Sequence, residues 1–183
     1  MYTCPVSLRS SRIISLDIET TGLSPVINTI IELGVVEVLN GEVRTQYSRM
    51  FGGGRSPIYL VRNVHGIRDA EREGLSTFVE SSRKIAGFLS NAILVTHNGT
   101  KFDIPFIENK LKEGGTSLTY SRHIDTYVIS KRLKHEHNSL GWLCQNYGIA
   151  YGEDNHRGLT DCLCTLQLLY AMCDKFGERE VLG

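Results

Sequence analysis

The sequence predicts an α/β fold in which a mixed sheet, three antiparallel strands followed by parallel strands, is flanked by helices. An Asn40-Gly41 dipeptide joins two runs of alternating residues, which is a strong signal for a β-hairpin. Farther along, short apolar runs alternate with segments of helical periodicity, which is typical of strands and helices packed in layers. A chain of 183 residues can bury one full core. We therefore expect one domain over residues 1–183, of which residues 1–11 could form a flexible N-terminus.

The first predicted strand has an acidic face and an apolar face. Side chains alternate along a strand, so Asp17 and Glu19 project together whereas Leu16 and Ile18 point the opposite way. Two neighbouring carboxylates repel each other where water is partly excluded, so a cation between them is favoured. A divalent metal is the natural candidate. On these residues alone, an ordinary solvent-exposed strand end stays open as the alternative.

The next elements follow from turn and capping signals. The hairpin predicts the second and third strands over residues 29–39 and 42–51. Residues 77–80 (TFVE) have the Thr-x-x-Glu spacing of a capping box and predict the start of a helix. Residues 92–96 form a short apolar run that predicts a buried strand.

The second half of the chain is predicted to be mainly helical, with one further strand that ends near Ile124. Gly148 can terminate one of the helices, and the longest places apolar side chains at helical spacing with Asp161 in its first turn. The predicted helices span residues 103–112, 125–133, 139–147 and 159–176.

Composition restricts the partners and the compartment. Twenty basic residues balance twenty acidic ones, so the chain lacks a general cationic field for gripping long polyanions, and contact with nucleic acid should be local. Five cysteines without a C-x-x-C pair indicate reduced, buried side chains and hence an intracellular location, cytoplasmic or nuclear. No apolar run has the length of a signal peptide or a membrane span, so we expect no membrane association.

Four acids and one imidazole fall at the ends of predicted elements: Asp17, Glu19, Asp103, Asp161 and His156. Hard oxygen ligands without a cysteine or histidine cluster suit Mg²⁺ or Mn²⁺ rather than zinc. Two such ions can activate a water and stabilise the leaving oxygen of a displacement at phosphorus. His156 could accept the proton of that water. Two alternatives stay open: Asp103 could cap its helix, and His156 could be an ordinary loop histidine.

Three segments carry motifs that occur together in one known family. They are residues 17–23 (DIETTGL), residues 97–103 (HNGTKFD) and residues 156–161 (HRGLTD). In this order, and over nearly the whole chain, they resemble the DEDDh (DnaQ-like) 3′–5′ exonucleases, which include polymerase proofreading subunits and stand-alone nucleases. The resemblance implies a ribonuclease H-like fold. It also implies release of nucleoside 5′-monophosphates from DNA 3′ ends, with single-stranded or frayed ends preferred.

The resemblance implies a role for each matching position. Asp17, Glu19, Asp103 and Asp161 would bind two divalent ions, Mg²⁺ or Mn²⁺, and His156 would be the general base.

Other matching positions would contact the terminal nucleotide. Leu23 would stack against or wedge beside a base, and His65 would belong to a segment that closes over the nucleotide. Asn98 would steady the pocket, whereas Asp125 also recurs in the family but is better interpreted as a helix cap. The implied substrate-binding residues are Thr20, Thr21, Leu23, His65, Asn98 and Phe102.

Two departures from the family pattern bear on the assignment. Three residues separate Asn98 from Phe102, one more than in bacterial proofreading subunits, and this form is more similar to the stand-alone exonucleases. Gly158 stands where alanine is common, which would loosen the loop of the third motif. His156 separates the chain from the tyrosine-dependent branch, and we do not favour Tyr151 as an upstream alternative.

Two other functions stay open. RNA 3′-end trimming depends on contacts with a 2′-hydroxyl, and the sequence does not identify the residues that would make them. A catalytically idle module could bind nucleic acid or a partner protein, although all five catalytic positions are filled. The balanced charge fits short contacts with 3′ ends, or delivery by a polymerase or another protein.

Overall fold

The predicted mixed sheet is confirmed. The structure, a computed structural model, describes residues 2–53, 66–151 and 158–183. Within these residues five strands lie in the order β3-β2-β1-β4-β5. Strands β1 to β3 pair antiparallel, whereas β4 runs parallel to both β1 and β5. The strands are β1 (Arg12–Thr20), β2 (Ile30–Leu39), β3 (Glu42–Met50), β4 (Ile93–Thr96) and β5 (Arg122–Asp125).

The hairpin between β2 and β3 turns at the predicted dipeptide. Asn40 and Gly41 have φ angles of 54° and 79°, the left-handed conformation that a tight two-residue turn requires. The predicted capping box is also confirmed, because the Thr77 N–H donates to Glu80 Oε2 at 2.7 Å and the Glu80 N–H donates to Thr77 Oγ1 at 3.1 Å. A 3₁₀ turn, Val79–Ser81, overlaps the end of the box and leads into the first α-helix.

Six α-helices lie in the described part of the chain, and most match their predicted bounds closely. The predicted glycine stop is present, since Gly148 has a φ angle of 64° after the fourth helix, and Gly115, with a φ angle of 71°, follows the second helix in the same way. The helices are α1 (Ser82–Leu89), α2 (Asp103–Glu113), α3 (Thr126–Arg132), α4 (Leu140–Asn146), α5 (Gly158–Phe176) and α6 (Glu178–Leu182).

Two apolar clusters cover the two faces of the sheet. Ile13 belongs to the cluster that contains α4 and α5 residues, whereas Ile14, Leu16 and Ile18 belong to the cluster with α1 and α2 residues. This division confirms the predicted alternation along β1. The five cysteines are all reduced and buried, as predicted. No helix in residues 2–53, 66–151 or 158–183 is long and apolar enough to cross a membrane.

The first residues contact the C-terminal helices. The Tyr2 N–H donates to Gln167 Oε1 at 2.9 Å, and Glu178 accepts hydrogen bonds from the N–H groups of Val6 and Ser7 at 2.6 and 2.9 Å. These contacts hold the start of the chain against α5 and α6. The flexibility of residues 1–11 in solution stays a prediction.

Candidate active site

The four predicted acids come from three elements that meet beside β1. Asp17 and Glu19 lie on β1, Asp103 is the first residue of α2, and Asp161 lies in the first turn of α5. Asp103 Oδ1 accepts a hydrogen bond from the Ile18 N–H at 3.1 Å, which fixes the start of α2 against β1. Phe102 occupies the N-cap position of α2. The alternative in which Asp103 caps its helix is therefore wrong.

The start of α5 packs directly on the sheet. Gly158 is the first residue of α5, and its backbone lies so close to Gly34 of β2 that a side chain on either residue would meet the other backbone. Ser15 Oγ also donates to the Cys162 carbonyl oxygen at 2.9 Å. The missing side chain permits the close packing that places Asp161 beside β1. The expected effect of Gly158 on the loop before it concerns residues 152–157, outside the described part of the chain, and stays a prediction.

The carboxylates repel one another electrostatically. Desolvation, followed by the charges of Asp103, Glu19 and Asp161, raises the pKa of Asp17 well above its ordinary value. Desolvation also raises the pKa of Asp103 to about 7, against the effect of hydrogen bonds from its own N–H and that of Ile18. A bound cation would remove this repulsion and restore the ionised forms.

The donor set suits a hard divalent cation in chemistry and charge, since it consists of carboxylate oxygens. Among the residues that the structure describes, however, no three histidine, cysteine, aspartate or glutamate side chains form a ready-made metal site. The acids therefore match a divalent cation in donor type and in charge. Metal binding itself belongs to the proposal below.

A fifth carboxylate, which sequence reasoning missed, lies beside the four. Glu32 of β2 is directly opposite Glu19 in the strand register, is fully buried and accepts a hydrogen bond from the Ser48 hydroxyl. Its charge also contributes to the raised pKa of Asp17. The available signal was an acidic residue inside the otherwise apolar run IIELGVV.

Asp125 organises the loop that connects β4 to α2. Its carboxylate accepts hydrogen bonds from the Asn98 N–H at 2.8 Å, the Thr100 N–H at 2.9 Å and the Thr100 hydroxyl at 2.6 Å. It also accepts from the Tyr127 N–H at 3.0 Å, so the predicted cap of α3 is confirmed. Although desolvation opposes them, these hydrogen bonds lower the pKa of Asp125. Asp125 thereby ties the loop that leads into Asp103 to the start of α3.

Three predicted substrate residues follow the first acidic pair. One of them is exposed to solvent and two are buried. Leu23 is 81 % exposed, whereas Thr20 and Thr21 are buried. The Thr20 hydroxyl donates to the Gly22 carbonyl oxygen at 2.7 Å, and Thr21 Oγ1 accepts from the Thr29 N–H at 2.9 Å. The two threonine side chains hold the loop, and Leu23 is the side chain available to a ligand.

A cleft of about 500 Å³ is lined by two of the four acids, Asp17 and Asp161, and by Asn98 together with residues of α4. Phe102 is partly buried and packs on Phe106, with ring centroids 5.0 Å apart, in the core cluster beneath α2. Contact of either Asn98 or Phe102 with a nucleotide stays a prediction.

His65 and His156 lie outside the described residues. The predicted roles of both histidines therefore stay predictions.

Two further residues line the cleft. The Tyr151 hydroxyl donates to Asp161 Oδ1 at 2.8 Å, and desolvation together with that carboxylate raises the pKa of Tyr151 well above its ordinary value. His97 Nε2 donates to the Asn138 carbonyl oxygen at 2.9 Å, while Nδ1 lies 2.8 Å from Thr126 Oγ1. Desolvation lowers the pKa of His97, which favours the neutral imidazole, and its two hydrogen-bonding contacts connect β4 to α3 and to the segment before α4. His97 belongs to the second sequence motif and could be found from it. Tyr151 belongs to no motif, and its only signal is that it lies a few residues before the third motif.

Curated relatives of the chain are bacterial polymerases. DNA polymerase III PolC-type of Halalkalibacterium halodurans is 31 % identical over 180 residues, which is 97 % of this chain. The corresponding protein of Lacticaseibacillus paracasei is 33 % identical over 170 residues, or 92 % of this chain. The chain spans 12 % of the length of each of these relatives.

Solved structures share the fold. The zinc-bound E. coli ExoI–ssDNA complex superposes with a TM-score of 0.80 at 13 % identity, over 91 % of this chain and 41 % of that chain. Exonuclease X in complex with 5′ overhanging duplex DNA superposes with a TM-score of 0.70 at 23 % identity, over 90 % of this chain and 93 % of that chain.

A protein-family comparison covers most of the molecule. The family model RNase_T, described as "Exonuclease", matches residues 14–169 and so runs from within β1 to within α5. The protein therefore belongs to the DEDD exonuclease family.

Proposed function

We propose that the chain is a metal-dependent 3′–5′ exonuclease of the DEDDh type that releases nucleoside 5′-monophosphates from DNA 3′ ends. One observation carries the proposal: Asp103 and Asp161, at the starts of two helices, lie close enough to β1 that their charges act on Asp17 together with the charge of its neighbour Glu19. Such a cluster of acids is suited to metal-assisted hydrolysis of a phosphodiester, which is the reaction of exonucleases.

The acids would hold two divalent ions, Mg²⁺ or Mn²⁺. When bound, such ions supply an activated water and charge stabilisation at the leaving oxygen. The chain's own part is to fix the acids: Ile18 holds Asp103, and Tyr151 contacts Asp161. His156 would accept a proton from the attacking water, a role supported by the sequence motif alone.

The site suits the end of a strand rather than a long duplex. The cleft of about 500 Å³ falls in the size range of small-ligand sites, about 300–1,000 Å³. The exposed side chain of Leu23 lies in the loop that follows β1, four residues after Glu19, where it could contact a base. Balanced charge gives little general attraction for a polyanion, so a partner could supply the affinity.

DNA and a polymerase are the favoured partners. The ExoI and Exonuclease X structures contain DNA, and the curated relatives are polymerases, so both features are proposed for this chain by similarity. Location within the cell, in cytoplasm or nucleus, is likewise part of the proposal.

The decisive experiment incubates 5′-labelled single-stranded DNA and RNA oligonucleotides with the protein in Mg²⁺, Mn²⁺ or chelator. Asp161→Asn is the test variant, and Asp174→Asn, an exposed acid on the same helix, is the matched control. We expect a metal-dependent ladder shortening from the 3′ end of DNA, lost in Asp161→Asn and retained in Asp174→Asn.

Other outcomes would redirect the proposal. Faster shortening of the RNA oligonucleotide would make the chain an exoribonuclease. Binding without cleavage of either strand would favour the catalytically idle module. Release of mononucleotides from the 5′ end would contradict the proposed direction.

A further inference from the structure

Tyr151 makes a direct contact with one of the acids, although no sequence motif includes it. Its hydroxyl donates to Asp161 Oδ1 at 2.8 Å across ten positions of the chain. Both side chains line the same cleft together with Asp17. A hydrogen bond from a hydroxyl to a carboxylate is among the stronger kinds, because the acceptor carries charge.

The tyrosine is fixed from two sides. Its ring lies against Gly141 of α4, where a Cβ would be only 3.2 Å from Tyr151 Cε1. The preceding residue, Ala150, accepts a hydrogen bond from Cys164 Sγ of α5 at 3.7 Å through its carbonyl oxygen. The hydroxyl is therefore held at the start of α5 by packing against α4 and by the link to α5.

We propose that Tyr151 is a positioning residue, whose hydroxyl holds the Asp161 carboxylate in the orientation that binds a divalent cation. The expected effect of Tyr151 on hydrolysis rests on the proposed function. The expected effect of Tyr151 on cation affinity does not. Asp161 is repelled by the other acids of the site, and the hydrogen bond opposes its displacement.

The chemistry of the carboxylate allows both contacts. A carboxylate has about four acceptor sites on two oxygens, so a hydroxyl on Oδ1 is compatible with a cation on the same group. Removing the groups that orient metal-binding side chains typically weakens metal affinity by about 10–100-fold. As the donor in this hydrogen bond, Tyr151 does not take the proton of an attacking water.

The test compares Tyr151→Phe with Tyr147→Phe by Mn²⁺ titration, read from the electron paramagnetic resonance signal of free Mn²⁺. Tyr151→Phe keeps the ring against Gly141 and removes only the donor. Tyr147→Phe is the matched control, because it removes a partly buried hydroxyl that lies 2.7 Å from His135 Nε2. Thermal unfolding shows first that both variants are folded, and the titration is run well below their melting temperatures.

We expect Mn²⁺ affinity to fall by about 10–100-fold in Tyr151→Phe and to be unchanged in Tyr147→Phe. Hydrolysis by Tyr151→Phe should recover as Mn²⁺ is raised, with little change in KM for the oligonucleotide. Affinity within about twofold of the wild type, or tighter binding by Tyr151→Phe, would overturn the inference.

The inference and the proposed function fail separately. If the variant loses Mn²⁺ affinity but the wild type hydrolyses neither DNA nor RNA, the positioning role stands and the exonuclease proposal falls. If the wild type hydrolyses DNA and both proteins bind Mn²⁺ equally, only the positioning role falls. Absence of Mn²⁺ binding by the wild type would overturn both.

Discussion

Gly34 of β2 and Gly158 of α5 are in backbone contact. A Cβ built on Gly34 would lie 2.1 Å from the Gly158 carbonyl carbon, and one built on Gly158 would lie 2.9 Å from the Gly34 nitrogen. The same Cβ on Gly158 would be 3.4 Å from the Asp17 carbonyl oxygen. The absence of two side chains thus sets the distance between the long helix that carries Asp161 and the strand that carries Asp17.

Gly34→Ala should therefore displace α5. The clash is with backbone, so the helix must move, and overpacking of this kind costs about 1–3 kcal/mol of unfolding free energy. Urea unfolding measures the loss. Gly87→Ala in α1 is the control, because beyond the backbone of its own helix and its chain neighbours nothing lies within 4 Å of the added Cβ, and alanine favours a helix by up to about 1 kcal/mol. Equal effects of the two substitutions would contradict the packing account.

Asp125→Asn should loosen the loop that precedes α2. Asparagine offers one acceptor oxygen without charge where the carboxylate accepts four hydrogen bonds, so we expect a loss of about 1–3 kcal/mol at pH 7. Because the pKa of Asp125 is lowered on folding, its stabilisation is present above about pH 4 and is lost as pH falls further. Urea unfolding between pH 7 and pH 3 should show the two proteins converging in acid. A difference that stays constant with pH would exclude a charge-dependent role.

Asp103→Asn should stabilise the metal-free protein, with the opposite dependence on pH. The pKa of Asp103 is raised to about 7 on folding, so the ionised carboxylate destabilises the fold as pH rises from about 4 through 7. Asparagine removes that charge and keeps an oxygen for the Ile18 N–H. Thermal unfolding in chelator should show a gain for the variant at pH 8 that disappears near pH 4. A variant less stable than the wild type at pH 8 would show that the cost of burying the Asp103 charge is not dominant.

Leu23→Ser should change substrate use without changing stability. The side chain is 81 % exposed, and substitutions at such surface positions usually alter unfolding free energy by less than about 0.5 kcal/mol. If Leu23 contacts the base of the terminal nucleotide, KM should rise several-fold both for an oligonucleotide and for a p-nitrophenyl ester of thymidine 5′-monophosphate, which keeps that base. Val43→Ser, at an apolar residue of β3 that is 50 % exposed, is the control. Equal KM values for the two variants would remove Leu23 from the substrate site.

Much of the fold could be predicted because its signals are local. Alternation along β1 separates Ile13 from Ile14, Leu16 and Ile18, and the structure places them in two different core clusters. The tight turn at Asn40 depends on two residues that accept positive φ angles. Local rules of this kind are encoded within a few neighbouring positions.

The contacts that sequence reasoning missed join distant positions. The hydrogen bond from Tyr151 depends on how the chain after α4 packs against α4 and α5. The periodicity of the sequence does not predict this packing. Gly34 is a glycine in an apolar strand, and nothing local shows that Gly158 will approach it. Glu32 was visible as an acid in an apolar run, but its position opposite Glu19 follows only from the strand register.

The acids come from three elements that lie far apart in the sequence, and this also determines when the acid set can assemble. During synthesis Asp17 and Glu19 leave the ribosome early, whereas Asp161 arrives only with α5, Gly158–Phe176. Until that helix docks through Gly158 on Gly34, the nascent chain has at most part of the acid set. A partly made chain, like a denatured one, should therefore lack the assembled acid set, because Asp161 reaches the other acids only when α5 packs on the sheet.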